Sequence, residues 1–264
     1  MKKKQYLFGT SEWAVCNANF ISGCKNNCKY CFGKEMAIRY KRKTAKNWVE
    51  EIVNEKKLHK KFGKKNGYIM FPSSHDISPE NLDFALIFLS NLLQSGNQVL
   101  IVTKAHLSVI MKICETFADF KNQILFRITI GSTNSETLKF WEPNAPSYEE
   151  RLEALKYAYN QGFKTSVSAE PALDVNTQDL IDALLPYITD ALWVGLPNAL
   201  IKRIKMNEAD DEETLQRARE LIANQDEEWL LELFENNWEN SKIKWKESIR
   251  KILNIENNEI TELD

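Results

Sequence analysis

The sequence predicts an α/β fold, because short apolar runs of strand character alternate with amphipathic stretches of helical period. The runs YIMF (68–71), QVLIVT (98–103) and ILFRITIG (124–131) are each followed by such a helical stretch. Roughly six of these units indicate a parallel sheet covered by helices, either open or curled into a barrel. In both arrangements, functional side chains gather at the carboxyl ends of the strands.

The boundaries of each element follow from the same patterns and from capping residues. Ser78 is a predicted helix N-cap, and Ser147 with Glu150 forms a predicted capping box. Gly96 and Gly162 are predicted to end the two helices that begin there. The predicted strands are 12–22, 68–71, 98–103, 124–131, 164–171 and 191–197, and the predicted helices are 44–62, 79–96, 105–118, 147–162 and 177–189.

The chain divides by composition into a core at 1–204 and a charged, helical C-terminal extension at 205–264, which we expect to pack on the core. Residues 208–264 hold seven Lys and Arg against seventeen Asp and Glu, a local charge of −10. Residues 34–65 hold twelve Lys and Arg against four Glu, a local charge of +8. The basic segment fits either a solvated helix face or a surface for nucleic acid. The expected packing anchors of the extension are Trp229, Trp238 and Trp245.

The overall composition predicts a cytoplasmic protein with no membrane segment. The 264 residues carry a net charge of −2, and no apolar run approaches the roughly 20 residues that span a bilayer. The basic N-terminus is not followed by the apolar region of a signal peptide. Thiols stay reduced in the cytoplasm, so five clustered or buried cysteines suggest metal binding or catalysis more than disulfides.

The stretch GCKNNCKYCFGK (23–34) carries the strongest chemical signal. It places Cys24, Cys28 and Cys31 in the spacing C-x3-C-x2-C, and no fourth ligand follows nearby. A structural zinc ion normally takes four ligands, whereas thiolates also bind iron–sulfur clusters. Three thiolates on a four-iron cluster leave one iron open for a substrate or cofactor.

This loop, with Tyr30 just before its last cysteine, resembles the cluster motif of the radical S-adenosylmethionine (radical SAM) superfamily. Within the superfamily the chain is most similar to the spore photoproduct lyase-like branch, from about residue 20 to residue 173. The segments that match in order are FPSSHDI (71–77), IVTKA (101–105), FRITIGS (126–132), WEPNAPSYEERLEAL (141–155) and QGFKTSVSAEP (161–171). The resemblance implies a partial (β/α)6 TIM-type barrel.

The resemblance also implies the cofactors and the residues that hold them. A [4Fe-4S] cluster on Cys24, Cys28 and Cys31 would cleave S-adenosylmethionine (SAM) to methionine and a 5′-deoxyadenosyl radical. The implied SAM contacts are Phe71, Pro72, Ser73 and Ser74 at the amino group, Lys104 at the carboxylate, Thr129 at the ribose or carboxylate, Glu170 at the ribose hydroxyls, and Tyr30 and Phe32 near the adenine. Lys104, Thr129 and Glu170 also fit ordinary strand-end roles, and Glu142 with Arg151 fits a structural salt bridge.

One position departs from the lyase pattern. The lyase has a hydrogen-donating cysteine just after its second strand, and Ser73 occupies that position here. Because an O–H bond is stronger than an S–H bond, serine is a poor hydrogen-atom donor, and Cys16 is the candidate in its place. The substrate, a nucleic acid, nucleotide or protein, and the reaction subclass stay open, and the reductant would be external, such as flavodoxin or ferredoxin.

Two functions from other classes remain open. The first is an iron–sulfur electron carrier without radical catalysis, which would need no SAM pocket. The second is a zinc-stabilised nucleic-acid-binding protein, for which the basic segment 34–65 would be the binding surface.

Overall fold

The computed structural model describes residues 9–255, and its centre is one parallel sheet. The strands are β1 (Cys16–Asn17), β2 (Ile21–Ser22), β3 (Ile52–Val53), β4 (Tyr68–Phe71), β5 (Gln98–Thr103), β6 (Ile124–Thr129), β7 (Lys164–Ala169), β8 (Leu192–Val194) and β9 (Ile243–Trp245). Seven of them pair in parallel in the order β1-β4-β5-β6-β7-β8-β9, and β2 and β3 form a separate antiparallel pair. The predicted α/β class is therefore confirmed.

Helices connect the strands of the main sheet, and further helices follow β8, which is the sixth strand of that sheet. They are α1 (Phe32–Arg39), α2 (Glu55–Leu58), α3 (Leu82–Gln94), α4 (Leu107–Thr116), α5 (Ser135–Trp141), α6 (Tyr148–Asn160), α7 (Thr177–Leu184), α8 (Leu200–Met206), α9 (Glu212–Asn224), α10 (Glu227–Glu235) and α11 (Glu247–Ile252). None of the helices within residues 9–255 has the length and apolar character needed to cross a membrane.

The strand order gives the sheet two different faces. In the main sheet, each strand lies beside the strand that precedes it in the sequence. Because crossovers between parallel strands are right-handed, the connecting helices all lie on one side of the sheet. Ile101 and Phe126 belong to the large core that these helices cover. Leu100 and Leu125, which alternate with them along β5 and β6, belong to a second cluster that Trp193 also contacts. The second face is the interior of a partial barrel, whose edges β1 and β9 do not pair with each other.

The C-terminal extension supplies the seventh strand of this sheet. Ile243 in β9 pairs with Leu192 in β8, and the Lys246 amide donates to the Val194 carbonyl at 2.8 Å. The described part of the extension is thus mostly helical but not only helical, because IKW is too short a run to be recognised as a strand. The parts of the two predicted domains at 1–8 and 256–264 lie outside the described residues.

The extension packs on the core through two of its three predicted tryptophan anchors. Trp229 and Trp245 pack against the large core, and the indole N–H of Trp229 donates to the Val175 carbonyl at 3.0 Å. Trp238 is 63% exposed, so its predicted role as an anchor is wrong. It follows α10 by three residues, beyond the turn of helix that contacts the core.

Two predicted elements near the N-terminus are wrong. The predicted strand 12–22 is divided into β1 and β2, because Ile21 pairs with Val53 rather than with the main sheet. The predicted helix 44–62 contains only β3 and the short α2. Lys43 explains part of this difference, since its buried ammonium group donates to the Glu50 carbonyl at 2.8 Å and holds the segment in a loop.

The helix-capping predictions are confirmed in part. Helix α3 begins after Asn81 rather than Ser78, and the Asn81 side chain accepts from the Ser78 amide at 3.1 Å across the preceding turn. Ser147 caps α6 by accepting from the Glu150 amide at 3.3 Å. The Glu150 carboxylate turns instead to the first amide of α4, so only half of the capping box forms. Gly162 ends α6 with a φ of +76°, as expected.

Candidate functional site

The three-cysteine loop lies between β2 and α1, at the carboxyl ends of the first strands. Cys31 is the N-cap of α1, and its Sγ accepts from the Lys34 amide at 3.3 Å. The Cys24 amide donates to the Trp48 carbonyl at 3.0 Å. Cys24 and Cys28 are buried, Cys31 is half-buried, and all three are free thiols.

Two residues with positive φ let the loop fold tightly. Gly23 has a φ of +104°, and a Cβ there would collide with the backbone carbonyls of Trp48 and Glu50. Asn27 has a φ of +48°, and its Oδ1 accepts from the buried Lys34 ammonium group at 3.0 Å. Glycine and asparagine are the residues that adopt this backbone region most readily.

The electrostatic surroundings of the thiols combine burial with nearby cations. Burial is the main cause that raises the pKa of each of the three thiols. Lys104 opposes this rise at Cys28 and Cys31, and Lys34 also opposes it at Cys31. The two lysines therefore favour the thiolate forms that metal ligation requires.

This donor set fits an iron–sulfur cluster. Three free thiols on one short loop are the ligands that iron–sulfur clusters use, each on a separate iron. Among residues 9–255, no group of three or more His, Cys, Asp or Glu side chains is arranged to hold one metal ion. A zinc site with four ligands around a single ion therefore has no counterpart in the described part of the chain.

The segment 71–74, at the end of β4, lies beside the cysteine loop. A Cβ on Gly33 would be 3.4 Å from the Ser74 carbonyl oxygen and 3.6 Å from the Cys31 sulfur. Asn19 holds the segment, because its Oδ1 accepts from the amides of Ser73 (2.8 Å) and Ser74 (3.0 Å). Its Nδ2 donates to the Ser73 hydroxyl at 2.8 Å. Sequence reasoning missed Asn19, which lies in an irregular turn between two short strands.

Lys104 lies in a buried ionic network with Glu142. The Lys104 ammonium group is 2.9 Å from one Glu142 oxygen, and the Arg151 guanidinium is 2.5 Å from the other. The Tyr30 hydroxyl donates to Glu142 and accepts from Lys104 at 3.3 Å. Burial alone would raise the pKa of Glu142, but Arg151 and Lys104 lower it to about 2. The carboxylate is therefore ionised at neutral pH.

This network bears on three sequence predictions. The Glu142–Arg151 salt bridge is confirmed. Lys104 reaches the site from the end of β5 but already has a carboxylate partner, so its contact with SAM stays a prediction. Tyr30 points its hydroxyl into the network, and its predicted place near the adenine stays a prediction as well.

Asp76 connects the cysteine loop to the strand ends, and sequence reasoning missed it. Its Oδ2 accepts from the Asn26 side chain at 2.6 Å and from the Lys104 amide at 3.1 Å. Its Oδ1 accepts from the Thr103 hydroxyl at 2.5 Å and from the Ile77 amide at 2.8 Å. The signal available in the sequence was a single acidic residue within the strand-end segment FPSSHDI.

Thr129 and Glu170 lie on the interior side of the sheet. Thr129 pairs with Ser168, which pairs with Trp193, so these three side chains form one row. Glu170 lies one row further toward the carboxyl ends, and its carboxylate is 3.5 Å from the Lys246 ammonium group. Burial raises the pKa of Glu170, and Lys246 opposes the rise. The sheet register thus brings both predicted contacts to the interior.

Two predicted residues are not brought into this interior group. Phe32 is 56% exposed at the start of α1, with the Arg203 guanidinium 5.2 Å from its ring. Cys16 pairs with Ile69 in the sheet and packs against the helix-covered core. The Cys16 thiol therefore lies on the opposite face of the sheet from Thr129, and its role as hydrogen donor stays a prediction without geometric support.

A comparison with models of protein families decides to which family the chain belongs. The family model described as the radical SAM superfamily matches residues 18–185, which include the cysteine loop and the strands β4, β5, β6 and β7 of the main sheet. The chain belongs to the radical SAM superfamily. The sequence prediction of the superfamily is thereby confirmed.

Two curated proteins are similar to this radical SAM chain over its core. An uncharacterized protein of Methanocaldococcus jannaschii is 30% identical over 166 residues, which cover 62% of this chain and 61% of the relative. An uncharacterized protein of Acidianus two-tailed virus is 24% identical over 176 residues, which cover 62% of this chain and 57% of the relative. The chain matches less than two thirds of the length of either relative.

Two solved structures are similar to the chain, and the one with the higher TM-score shares its fold. SuiB of Streptococcus suis, bound to its precursor peptide SuiA, matches with a TM-score of 0.53 at 13% identity, over 92% of this chain and 51% of SuiB. A spore photoproduct lyase mutant with bound SAM and a dinucleoside spore photoproduct matches with a TM-score of 0.49 at 14% identity. That match covers 75% of this chain and 61% of the lyase.

Proposed function

We propose that this protein is a radical SAM enzyme, in which Cys24, Cys28 and Cys31 hold a [4Fe-4S] cluster. The observation that carries the proposal is the loop of three free thiols in a chain of this superfamily, next to the strand ends. When bound, such a cluster reduces SAM to methionine and a 5′-deoxyadenosyl radical, and the protein supplies binding, orientation and electrostatics.

The segment 71–74 is suited to hold the amino group of SAM. Asn19 takes the amide donors of Ser73 and Ser74, so the segment presents carbonyl acceptors. An ammonium group has only donors, and it therefore matches this arrangement. The contact between Gly33 and Ser74 keeps the segment close to Cys31.

Lys104, Thr129 and Glu170 complete the proposed SAM site. Lys104 would share its charge between Glu142 and the SAM carboxylate, since Arg151 also neutralises Glu142. Thr129 and Glu170 offer a hydroxyl and a carboxylate from the interior of the sheet, where ribose hydroxyls could bind. We expect Tyr30 to fix Lys104 through its hydroxyl in addition to any contact with the adenine.

Metal analysis and SAM binding separate this function from its two rivals. The protein is purified without oxygen, reconstituted with iron and sulfide, and titrated with SAM. We expect roughly four irons and four sulfides per chain together with SAM binding, both lost in Cys28→Ala and kept in Cys114→Ala, which removes a buried thiol in α4. Zinc without sulfide would support the zinc-stabilised protein, and a full cluster without SAM binding would support an electron carrier.

We propose a nucleic acid or nucleotide as the substrate class, with flavodoxin or ferredoxin as the external reductant and the cytoplasm as the location. The loop after α1 supports the substrate class, because it exposes Lys41, Arg42 and Lys46 and follows the exposed aromatic ring of Tyr40, which lies 5.8 Å from the Arg42 guanidinium. The same fold in SuiB is bound to a peptide, so a protein substrate is the second candidate.

Oligonucleotide binding at several salt concentrations tests the substrate class. We expect affinity to fall steeply as salt rises, and to fall further in the double variant Lys41→Glu, Arg42→Glu. The matched control is Lys56→Glu, Lys57→Glu, which changes the same charge on the exposed α2. Equal binding by all three proteins would contradict a role for the α1 loop.

A further inference from the structure

Asn207, at the end of α8, donates to two carbonyls of the cysteine loop. Its Nδ2 is 3.0 Å from the Lys29 carbonyl oxygen and 3.0 Å from the Cys31 carbonyl oxygen. Asn207 is completely buried, although 176 residues separate it from Cys31 in the chain. Its amide group thus spans the half of the loop that contains the last cysteine.

The two halves of the loop differ in their contacts, because the second half is held by the core and by the extension together: Tyr30 donates to Glu142, and the Lys29 amide donates to the Trp141 carbonyl at 2.9 Å. Asp76 holds the first half through the side chain of Asn26. The second half contacts the extension, since the Lys29 ammonium group donates to the Thr214 hydroxyl in α9 at 2.7 Å. Among these contacts, Asn207 is the side chain that binds the backbone of residues 29–31 directly.

The hydrogen-bonding pattern permits only one orientation of this side chain. The two N–H groups of the amide match two carbonyls, while Oδ1 is buried and has no hydrogen-bond partner in the described structure. The reverse orientation would place an oxygen against two oxygens. Loss of the amide would leave the Lys29 carbonyl unsatisfied, whereas the Cys31 carbonyl still accepts from the Glu35 amide at 3.1 Å.

We propose that Asn207 is a positioning residue for the cysteine loop, so that the segment after the sixth barrel strand completes the cluster site. The inference rests on the proposed function for its relevance to catalysis, but the positioning of the loop is measurable without a cluster. The C-terminal extension would therefore contribute Asn207 to the cluster site, a contribution that the cysteine motif alone does not reveal.

The first test measures thiol reactivity in the cluster-free protein. Each cysteine is followed by iodoacetamide labelling and mass spectrometry in wild type, Asn207→Ala, Asn207→Asp and Asn207→Ser. We expect labelling of Cys28 and Cys31 to accelerate about tenfold in the first two variants and less in Asn207→Ser, which keeps one donor. Labelling of Cys114, buried in α4, should not change.

Asn237 provides the matched control for a general loss of stability. It is also a buried asparagine of the extension, and its Nδ2 donates to Gln178 Oε1 at 2.7 Å and to the Leu233 carbonyl at 2.8 Å. We expect Asn237→Ala to lower the melting temperature without accelerating the labelling of Cys28 and Cys31. Equal labelling in the Asn207 variants and in wild type, or equal acceleration in Asn237→Ala, would overturn the proposal.

The second test examines the reconstituted cluster by electron paramagnetic resonance after reduction. We expect Asn207→Ala and Asn207→Asp to shift the spectrum or lower its intensity per chain, while Asn237→Ala gives the wild-type spectrum. An unchanged spectrum in both Asn207 variants would count against the proposal. If wild type itself holds no cluster, the proposed function fails, and the labelling rates still decide the positioning of the loop.

Discussion

At the scale of single residues, Glu142 has the strongest constraint in the described site. It is almost fully buried and contacts Lys104, Arg151 and Tyr30. Its role was visible in the sequence only as half of a salt bridge. Lys104 follows a strand and Glu142 ends a helix 38 residues later, so no local sequence pattern could reveal that the two side chains are in contact.

Replacing Glu142 by Gln should destabilise the protein strongly. The change leaves Lys104 and Arg151 buried without their shared counter-charge, a defect that typically costs about 3–5 kcal/mol. The free energy of unfolding in urea, measured on the cluster-free protein, checks this. The control is Glu213→Gln, because Glu213 pairs with Arg217 on an exposed helix face and should contribute little. Similar losses in both variants would contradict the importance assigned to burial.

His75 should make stability depend on pH. Burial lowers the pKa of His75 from 6.5 to about 4, and its Nδ1 donates to the Asp76 carbonyl while Nε2 is buried without a hydrogen-bond partner in the described structure. Between pH 6.5 and 4 the unfolded chain binds a proton that the folded chain does not, so stability falls as the pH falls. Below the folded pKa this dependence ends. The full effect is on the order of 3 kcal/mol.

Urea unfolding of the cluster-free protein from pH 7 to pH 4 measures this dependence. We expect His75→Gln to have a shallower loss of stability over this range than wild type. The control His59→Gln changes an exposed histidine and should keep the wild-type dependence. An unchanged pH profile in His75→Gln would show that another group is responsible.

At the scale of elements, the regular helices and the longer strands were predictable, and the short strands were not. The β5 and β6 strands are long, apolar and β-branched, and α3 and α6 have clear periodic apolar stripes. By contrast, β1, β2 and β3 have two residues each, and their pairing depends on distant partners. The β9 strand was not predicted for the same reason, although it brings Lys246 close to Glu170.

Replacing Lys246 by Met should weaken SAM binding about tenfold, because Glu170 would lose the cation that orients its carboxylate. Lys246 is buried and also contacts Glu12 at 2.9 Å, so the variant is first checked for folding by circular dichroism. The dissociation constant of SAM on the reconstituted protein is then compared with that of Lys244→Met, which changes an exposed lysine of β9, two residues before Lys246. Equal affinities in the two variants would separate Lys246 from the site.

At the scale of the whole molecule, the partial barrel explains why distant residues meet. The parallel register carries Lys104, Thr129 and Glu170 toward one edge of the sheet, as the strand-end rule predicts. Their positions at strand ends were therefore enough to predict that they lie on the same side of the molecule, and their contacts with SAM stay a prediction. The supporting contacts of Asn19, Asp76 and Asn207 were not predictable, because Asn19 and Asp76 lie in irregular segments and Asn207, at the end of α8, binds carbonyls that are at least 176 residues away in the chain.

The formation of 5′-deoxyadenosine is the measurement that tests the proposed function most directly. The reconstituted protein is reduced with dithionite under anaerobic conditions, supplied with SAM, and analysed by chromatography beside Cys28→Ala and Cys114→Ala. We expect 5′-deoxyadenosine and methionine to appear in wild type and Cys114→Ala and to be absent in Cys28→Ala. A wild-type protein that carries a full cluster and binds SAM, yet forms no product with or without added oligonucleotide or peptide, would contradict radical SAM catalysis by this chain.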